Sequence, residues 1–354
     1  MRMLVVWGKP LEICAIYNDN LDRMYKRIIT FTILLTFLVI SFGAYVRLSD
    51  AGLGCPDWPG CYGKLVGVPD THHEITQLES ATPGTEVHPG KAWKEMIHRY
   101  LAGTLGLLIA ALAWLSFFPQ RRRNAWAHLA LVGLVGIQAT LGMLTVTWLL
   151  KPAIVTLHLL GGMLILATLI GIRANRHPNP STRNYPTGLR LAAWLVVGLV
   201  LTQIALGGWT SSNYAAMACV DYPLCRGELI PSSMDWQHAY VVNRALGQTA
   251  DGQGITLDTL ITIHWTHRWF AVVVVLACLA FAWRVIRQDK QIAPWGIAML
   301  LAVLTQFTLG ISNVLLQWPL SLAVLHNFVA AVLLAVAVHL AITIGRGKQN
   351  HFLG

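Results

Sequence analysis

Residues 138–158, QATLGMLTVTWLLKPAIVTLH, recur later in the chain as residues 306–326, QFTLGISNVLLQWPLSLAVLH. Both copies place a histidine 20 residues after a glutamine, and in both a proline separates two apolar stretches. A helix needs roughly 20 mostly apolar residues to cross a bilayer. Each copy therefore predicts the end of one membrane-spanning helix, a short turn and the beginning of the next.

The repeat extends beyond these two segments. The triplets IHR at 97–99 and THR at 266–268 place their histidines 40 and 39 residues before the two glutamines. Further upstream, CPDWPGC at 55–61 matches CVDYPLC at 219–225. A repeat of this length predicts two similar halves with the same orientation in the membrane, related by an axis along the membrane normal.

The composition of the chain also favours a bilayer. Of its 354 residues, 55% are hydrophobic and 12% are charged, whereas soluble domains carry about 25% charged residues. The apolar runs lack the alternation typical of a β-barrel. We predict an all-α integral membrane protein whose eight transmembrane helices form two pseudo-symmetric four-helix bundles. The eight runs lie near 28–46, 97–117, 127–148, 153–172, 189–210, 263–283, 293–315 and 320–344.

The repeat divides the chain into two halves with short flanking segments. We expect a cytoplasmic N-terminal tail, an N-terminal half, a cytoplasmic linker, a C-terminal half and a cytoplasmic C-terminal tail at 1–27, 28–175, 176–188, 189–345 and 346–354. Either Met1 or Met24 can be the natural start. The first residues include Glu12 and Asp19 and do not form an Arg-rich transit peptide, which favours a bacterial plasma membrane over a mitochondrion.

Cationic residues predict the orientation of the helices. They gather at the termini and in alternate loops, which the positive-inside rule assigns to the cytoplasm. The two long loops, 47–96 and 211–262, then face the outside. The formal charge of +10 indicates topology and contact with anionic lipid, and it does not indicate nucleic-acid binding. The residues concerned are Arg23, Lys26, Arg27, Arg121, Arg122, Arg123, Arg173, Arg176, Arg183, Arg284, Arg287, Lys290, Arg346 and Lys348.

Four histidines recur at matched depth, His98 and His158 in the first half and His267 and His326 in the second. Ionisable residues within a membrane span are costly and usually functional. Two neutral imidazoles facing each other across a bundle can fill both axial positions of a heme iron, so we predict one heme per half. A zinc or copper site competes with this interpretation, but no third or fourth ligand recurs at that depth. A single histidine near a helix end can also be an interfacial hydrogen-bonding residue.

Arg99 and Arg268 directly follow the first histidine of each pair, at the outer interface. Heme propionates would emerge at that level, where a charge-assisted pair with arginine can form. The alternative is an arginine that extends to lipid headgroups. The residue pattern leaves both interpretations open.

The two halves differ at Glu95, which stands three residues before His98 and has His264 as its counterpart. A carboxylate on the same helix face as a heme ligand can move protons or stabilise charge during an oxidation. It can also merely complement the helix dipole. The segment 47–54, RLSDAGLG, likewise keeps charges that its counterpart lacks. We therefore interpret the first half as catalytic and the second as the holder of a resident heme.

Four of the six cysteines form matched pairs in the outer loops. Disulfides persist outside the cytoplasm, and the natural pairings are Cys55 with Cys61 and Cys219 with Cys225. The default interpretation is a structural clamp on each loop. A thiol–disulfide exchange role for the first pair is the alternative, because that pair lies close to the proposed reaction site.

The string GAYVRLSDAGLGCPDWPGC at 43–61, the EMIHR block at 95–99 and the twin glutamine-to-histidine helices resemble the heme A synthase family. The likeness runs from about residue 28 to 345 and includes the cysteine-bearing loop of one branch of that family. It implies oxidation of the C8 methyl group of heme O to a formyl group, through successive hydroxylation and loss of water, which yields heme A for terminal oxidase assembly.

The resemblance also implies roles for particular residues. It gives His98 and His158 to the substrate heme O, His267 and His326 to a heme b, and a place near the substrate to Glu95. It implicates the first cysteine pair in activity. The implied partners are a heme O synthase, an electron donor, membrane lipid and a second copy of the chain. Two routes for the oxidation stay open. In one, oxygen is activated after one histidine ligand is displaced; in the other, electrons are removed from the porphyrin and water attacks it.

Two other classes of function compete. A diheme b-type cytochrome that transfers electrons without substrate chemistry explains the four histidines equally well, but it leaves Glu95 and the uneven outer loops unexplained. A transporter or heme exporter fits the repeat. It is disfavoured because no broken helix recurs at matching mid-membrane positions.

Overall fold

The computed structural model describes residues 10–81, 84, 86–117, 125–176 and 184–346, and the side chains of residues 10–19 and 21 are not part of this description. Ten α-helices lie in this part of the chain: α1 Pro10–Leu48, α2 His72–Ala81, α3 Pro89–Ser116, α4 Ala125–Thr147, α5 Pro152–Arg176, α6 Thr187–Ser212, α7 Trp236–Ala239, α8 Leu257–Gln288, α9 Ala293–Leu315 and α10 Leu320–Gly345. The predicted cytoplasmic cations Arg121, Arg122, Arg123, Arg183 and Lys348 lie outside the described residues.

Eight of these helices are long and apolar enough to cross a membrane, namely all except α2 and α7. They match the eight predicted runs one by one, so the prediction of an all-α protein with eight membrane-spanning helices is confirmed. The chain is a multi-pass membrane protein, and no strand is present among the residues described.

The helix ends differ from the prediction at two places that matter for the site. Helix α3 begins at Pro89 and α8 at Leu257, whereas the apolar runs begin near 97 and 263. Proline occupies the first turn of α3, and the Thr256 side chain accepts a hydrogen bond from the backbone of Thr259. Hydropathy locates the membrane crossing, but caps decide where a helix starts. Both helices therefore project into the outer loops.

Helix α1 also exceeds its prediction, because it begins at Pro10 and runs to Leu48 without a break. Its apolar, membrane-crossing part is Asp22–Leu48. Much of the tail expected at 1–27 is thus a continuation of the first helix.

The helix pairings are the same in both halves. Helix α1 packs on α3 and α5, and α4 packs on the same two helices; α6 packs on α8 and α10, and α9 packs on the same two. The two halves meet where α5 contacts α6 and α10, and where α1 contacts α10. Helix α10 is the most buried of the eight spans, as expected of a helix that is apolar on all faces.

The outer loops contain the parts that differ most between the halves. The first loop carries α2, and the second carries α7 and a short 3-10 turn at Ala215–Met217. Each loop nevertheless holds one small hairpin around its cysteine pair, where Cys61 bridges Lys64 and Cys225 bridges Glu228. The structure joins Cys55 to Cys61 and Cys219 to Cys225.

Candidate functional site

Each of the two histidines in the first half rests against a glycine of a neighbouring helix. A Cβ atom on Gly43 of α1 would lie 2.8 Å from Cε1 of His98 on α3. A Cβ atom on Gly142 of α4 would lie 3.1 Å from Cε1 of His158 on α5. Real Cβ atoms almost never approach a ring carbon as closely as at Gly43, so a larger residue there would displace His98. At Gly142 the contact is tighter than most, and a Cβ atom would require His158 to shift by a few tenths of an ångström.

The second half repeats this arrangement. His267 on α8 rests against Gly207 of α6, and His326 on α10 rests against Gly310 of α9, with hypothetical Cβ distances of 3.0 and 3.2 Å to Cε1. The four histidines are thus seated in the same way by equivalent helices. Their side chains are all partly accessible, as expected of groups that line a hollow between helices.

Glutamines hold three of the four histidines. Gln138 Nε2 donates to the carbonyl oxygen of His158 at 2.7 Å, and Gln306 Nε2 lies 3.2 Å from Nε2 of His326. Gln203 Nε2 lies 3.0 Å from the carbonyl oxygen of His267 and 3.1 Å from its Nδ1. Gln138 and Gln306 mark the repeat in the sequence, whereas a role for Gln203 was not predicted. The recurring spacing Q-x-x-x-G could have revealed it.

The donor set fits an iron porphyrin. The Nδ1 atoms of His98, His158 and His326 are buried without a hydrogen-bond partner, a costly condition unless a bound ligand changes the environment of the ring. His98 and His158 lie on α3 and α5, which both pack on α1 and α4, and His267 and His326 lie on α8 and α10, which both pack on α6 and α9. Each half therefore carries two imidazoles on opposite helices, which suits the two axial positions of heme iron.

A tetrahedral metal site finds less support. Among the described residues, no group of three or more His, Cys, Asp or Glu side chains is arranged to hold a metal ion. Structural zinc sites almost always use four protein ligands, and catalytic ones use three. The two-histidine sites therefore favour heme over zinc.

Glu95 connects the first histidine helix to the outer loop. Its carboxylate is buried and accepts a hydrogen bond from the backbone N–H of Cys55 at 2.9 Å. Its other oxygen lies 2.5 Å from Nη2 of Arg99, one turn further along α3. The carboxylate thus fixes the start of the cysteine hairpin above the helix that carries His98.

The second half achieves the same contact with a histidine. The backbone N–H of Cys219 donates to Nδ1 of His264 at 3.2 Å. His264 is buried like Glu95 and lies three residues before the heme-ligand candidate of its own helix. In both halves the side chain at this position therefore accepts a hydrogen bond from the cysteine loop, and only in the first half is that side chain a carboxylate.

The two arginines behind the predicted ligands contact their own loops. Arg99 Nη1 donates to the carbonyl oxygens of Asp57, at 2.9 Å, and of Gly60. Arg268 Nη2 donates to the carbonyl oxygen of Leu224 at 2.9 Å, and its guanidinium lies over the Tyr222 ring. These contacts hold the hairpins against α3 and α8. They differ from the extension to lipid headgroups that was the alternative in our sequence analysis.

An aspartate closes each hairpin. Asp57 accepts from the backbone of Tyr62 and Gly63, and Asp221 accepts from the backbone of Arg226 and Gly227 at 2.6 and 2.8 Å. Burial acts to raise the pKa of Asp221. The hydrogen bonds from the two backbone N–H groups outweigh it, so the pKa is lowered overall.

The divergent outer segments of the two halves contact each other. Arg47 Nη2 donates to the carbonyl oxygen of Ser211 at 2.8 Å, and its guanidinium lies 4.2 Å from the centre of the Tyr214 ring. The Tyr214 hydroxyl donates to Asp50 at 2.8 Å. Arg47 and Asp50, the charged residues that the second half lacks, therefore form contacts between the two halves.

The remaining membrane histidines have structural surroundings. His128 is buried and lies 2.6 Å from the Tyr25 hydroxyl, and His339 packs against Trp295. Neither shares the glycine-backed arrangement of the four repeated histidines.

Comparison with known proteins gives consistent matches. The sequence profile of the COX15-CtaA family, described as cytochrome oxidase assembly protein, matches residues 26–338. A Shewanella oneidensis protein named heme A synthase is 39% identical over 87% of this chain and 92% of its own length. Proteins of the same name from Chelativorans sp. and Methylorubrum extorquens are 26% and 28% identical, over 89% and 86% of this chain and 90% and 83% of their own lengths.

Proposed function

Because this chain belongs to the COX15-CtaA family of cytochrome oxidase assembly proteins, we propose that it converts heme O to heme A for the assembly of a terminal oxidase. Full-length similarity to proteins named heme A synthase supports this function. The observation that carries it is the pair of histidines in each half, every one seated against a glycine of an adjacent helix. The reaction class is an oxidoreductase reaction in which a porphyrin methyl carbon is oxidised to a formyl group.

In this proposal the N-terminal half, residues 28–175, binds the substrate. His98 and His158 hold heme O, and Glu95 keeps the hairpin of Cys55 above the site. Burial makes Glu95 suited to act on protons or developing charge during the oxidation, and its ion pair with Arg99 limits its motion. The closed disulfide then clamps the hairpin, and a thiol–disulfide exchange step is its alternative role.

The C-terminal half, residues 189–345, holds a resident heme b through His267 and His326. When bound, this heme supplies a one-electron carrier within the membrane. Arg268 and Arg99 border the two sites at the level where porphyrin propionates would reach the outer surface, although both already bind loop carbonyls. Contact with propionates would therefore use the remaining N–H donors, and Nη1 of Arg268 is buried without a partner.

The location follows from the same features. We propose a bacterial plasma membrane with both termini cytoplasmic, which places the cysteine hairpins on the oxidising outer side. Heme O is apolar, so it can enter the bundle through lipid, and a heme O synthase in the same membrane would deliver it. An electron donor and a second copy of the chain complete the proposed partners.

The test uses purified protein, heme O, a reductant and oxygen, with the porphyrins separated by chromatography. We expect a formyl heme to accumulate with time, and none with the His98→Ala, His158→Ala double variant. A Soret band should already be present in the protein as isolated. If cells that also make heme O yield a pigment with heme b alone and no product forms, the chain is a diheme electron carrier instead.

A further inference from the structure

Three of the four glycines that contact the histidines share a sequence pattern. In three helices a glutamine precedes the glycine by four residues, which places both on one helix face, one turn apart. In α1 the corresponding residue is a valine. The four pairs are Val39 and Gly43, Gln138 and Gly142, Gln203 and Gly207, and Gln306 and Gly310.

Each glutamine makes a hydrogen bond to the histidine that its glycine supports. Gln203 does so most completely, because its amide reaches both the backbone and the ring of His267. The amide of Gln138 is itself confined, since a Cβ on Gly161 would lie within 2.0 Å of its Oε1. The amides of Gln138 and Gln203 both hold the backbone carbonyl of their histidine, and that of Gln203 also meets ring Nδ1. Such outer partners keep a metal-binding histidine in position, and their loss typically weakens metal affinity 10–100-fold.

His98 has no such support. Val39 offers no polar atom, so neither the backbone carbonyl nor the ring of His98 receives the glutamine contact that the other three histidines have. Its Nδ1 is buried without a hydrogen-bond partner, like those of His158 and His326. The ring is held in place by packing alone, against Gly43. His98 therefore has no glutamine contact, and it lies in the half that, in the proposed function, takes up the substrate and releases the product.

We propose that the exchange of glutamine for valine at position 39 makes His98 the releasable ligand, while Gln203 is a positioning residue that locks the resident heme through His267. This inference rests on the proposed function. A ligand without an oriented hydrogen bond costs less free energy to move off iron, so the N-terminal site can exchange its porphyrin. The three glutamine-backed histidines keep their positions during that exchange.

The matched variants Val39→Gln and Gln203→Val exchange the two residues between the halves. Purified holoprotein is mixed with excess apomyoglobin as a heme acceptor, and the transfer of heme O or heme A is followed separately from that of heme b by chromatography. We expect Val39→Gln to slow release of the N-terminal porphyrin about tenfold and to leave heme b unchanged. We expect Gln203→Val to speed release of heme b about tenfold and to leave the N-terminal porphyrin unchanged.

Two control variants separate positioning from packing. Val39→Leu keeps an apolar side chain and should release porphyrin like the wild type. Gln203→Met keeps the length of the side chain but removes the amide that donates to His267, so it should release heme b as fast as Gln203→Val. Low-spin electron paramagnetic resonance signals of each heme report the ligand orientation independently of turnover. Unchanged release rates and signals in both exchange variants would refute the proposal.

The outcome is separable from that of the proposed function. If no formyl heme forms in the wild type but Gln203→Val still loses the C-terminal heme faster, the positioning role of the glutamine is supported and the proposed enzymatic activity is refuted. If product forms normally and Val39→Gln releases it at the wild-type rate, the proposed activity is supported and the proposed role of Val39 is refuted.

Discussion

Each of the four histidine rings lies against a glycine of a neighbouring helix, in space that a larger side chain at that position would occupy. Gly43 and Gly207 occur at equivalent places in α1 and α6, and both leave less than an ordinary van der Waals distance for a Cβ atom. A methyl group there must displace an imidazole, because the surrounding helices are closely packed. The effect of such a change falls on the site and not on the helix, since alanine is a better helix former than glycine.

The variant Gly43→Ala tests this seat directly. We expect the N-terminal site to lose porphyrin affinity by about tenfold, because His98 is pushed away from the position it shares with His158. Heme b should be retained. Porphyrin content per protein, measured by pyridine hemochrome and chromatography, checks the result.

Gly103→Ala is the control, because a Cβ atom on Gly103 of the same helix as His98 would meet nothing within 4 Å. This change should leave both porphyrins bound. Equal porphyrin content in Gly43→Ala and Gly103→Ala would mean that the close approach at Gly43 does not matter for binding.

The variant Glu95→His separates the two roles of the buried carboxylate. A histidine can accept the hydrogen bond of the Cys55 backbone as His264 does for Cys219. It cannot supply a negative charge. We expect the variant to fold and to bind both hemes, while formyl heme production falls on the order of 100-fold. Turnover at the wild-type rate would show that Glu95 serves only to hold the loop.

Among the structural elements, the two cysteine hairpins are the most similar parts of the outer surface. Both are closed by an aspartate that binds two backbone N–H groups, and both are attached to a membrane helix through an arginine. An element this short has little core of its own. Its order therefore depends on these polar contacts and on the disulfide.

The hairpin of the second half should loosen in acid. The pKa of Asp221 is lowered in the folded state relative to its ordinary value of 3.8. Its contribution to stability is therefore complete above pH 3.8 and is lost as the pH falls through the folded-state pKa. Hydrogen exchange of the Arg226 and Gly227 amides, measured at neutral and acidic pH, should show this loss.

Asp221→Asn should speed exchange of these amides at neutral pH and remove most of the acid dependence. Asp251→Asn changes an exposed aspartate elsewhere in the same loop and should leave both properties intact. Acid-dependent exchange that persists unchanged in Asp221→Asn would assign the effect to another group.

For the molecule as a whole, the matching helix pairings imply two sites that can be filled separately. Each pair of histidines lies on helices of one half, and the halves contact each other through α1, α5, α6 and α10. We therefore expect His267→Ala to lose heme b and retain the substrate porphyrin, and His98→Ala to do the reverse. Chromatography of the bound pigments identifies which porphyrin remains.

Turnover of these two variants tests the division of labour. We expect His98→Ala to abolish formyl heme production. If His267→Ala abolished turnover while His98→Ala left it intact, the catalytic and resident sites would have to be exchanged between the halves.

Much of this protein could be read from the chain alone. The eight spans follow from hydropathy, and the four histidines follow from the repeat, because both signals are local or periodic along the sequence. Features that depend on how distant segments meet could not be predicted. Arg47 and Ser211 are 164 residues apart and contact each other, and Glu95 accepts from a cysteine 40 residues earlier.

The membrane crossings and the matched positions of the four histidines can be read from composition and spacing, since transfer of apolar residues into lipid depends on composition and length. The partner of each polar group depends on the packed fold. A buried donor or acceptor takes whatever partner the packing of neighbouring helices brings within reach. For this reason the spacing of Gln203 and Val39 from their glycines is visible in the sequence, but the contact of Gln203 with His267 appears only when α6 is seen beside α8.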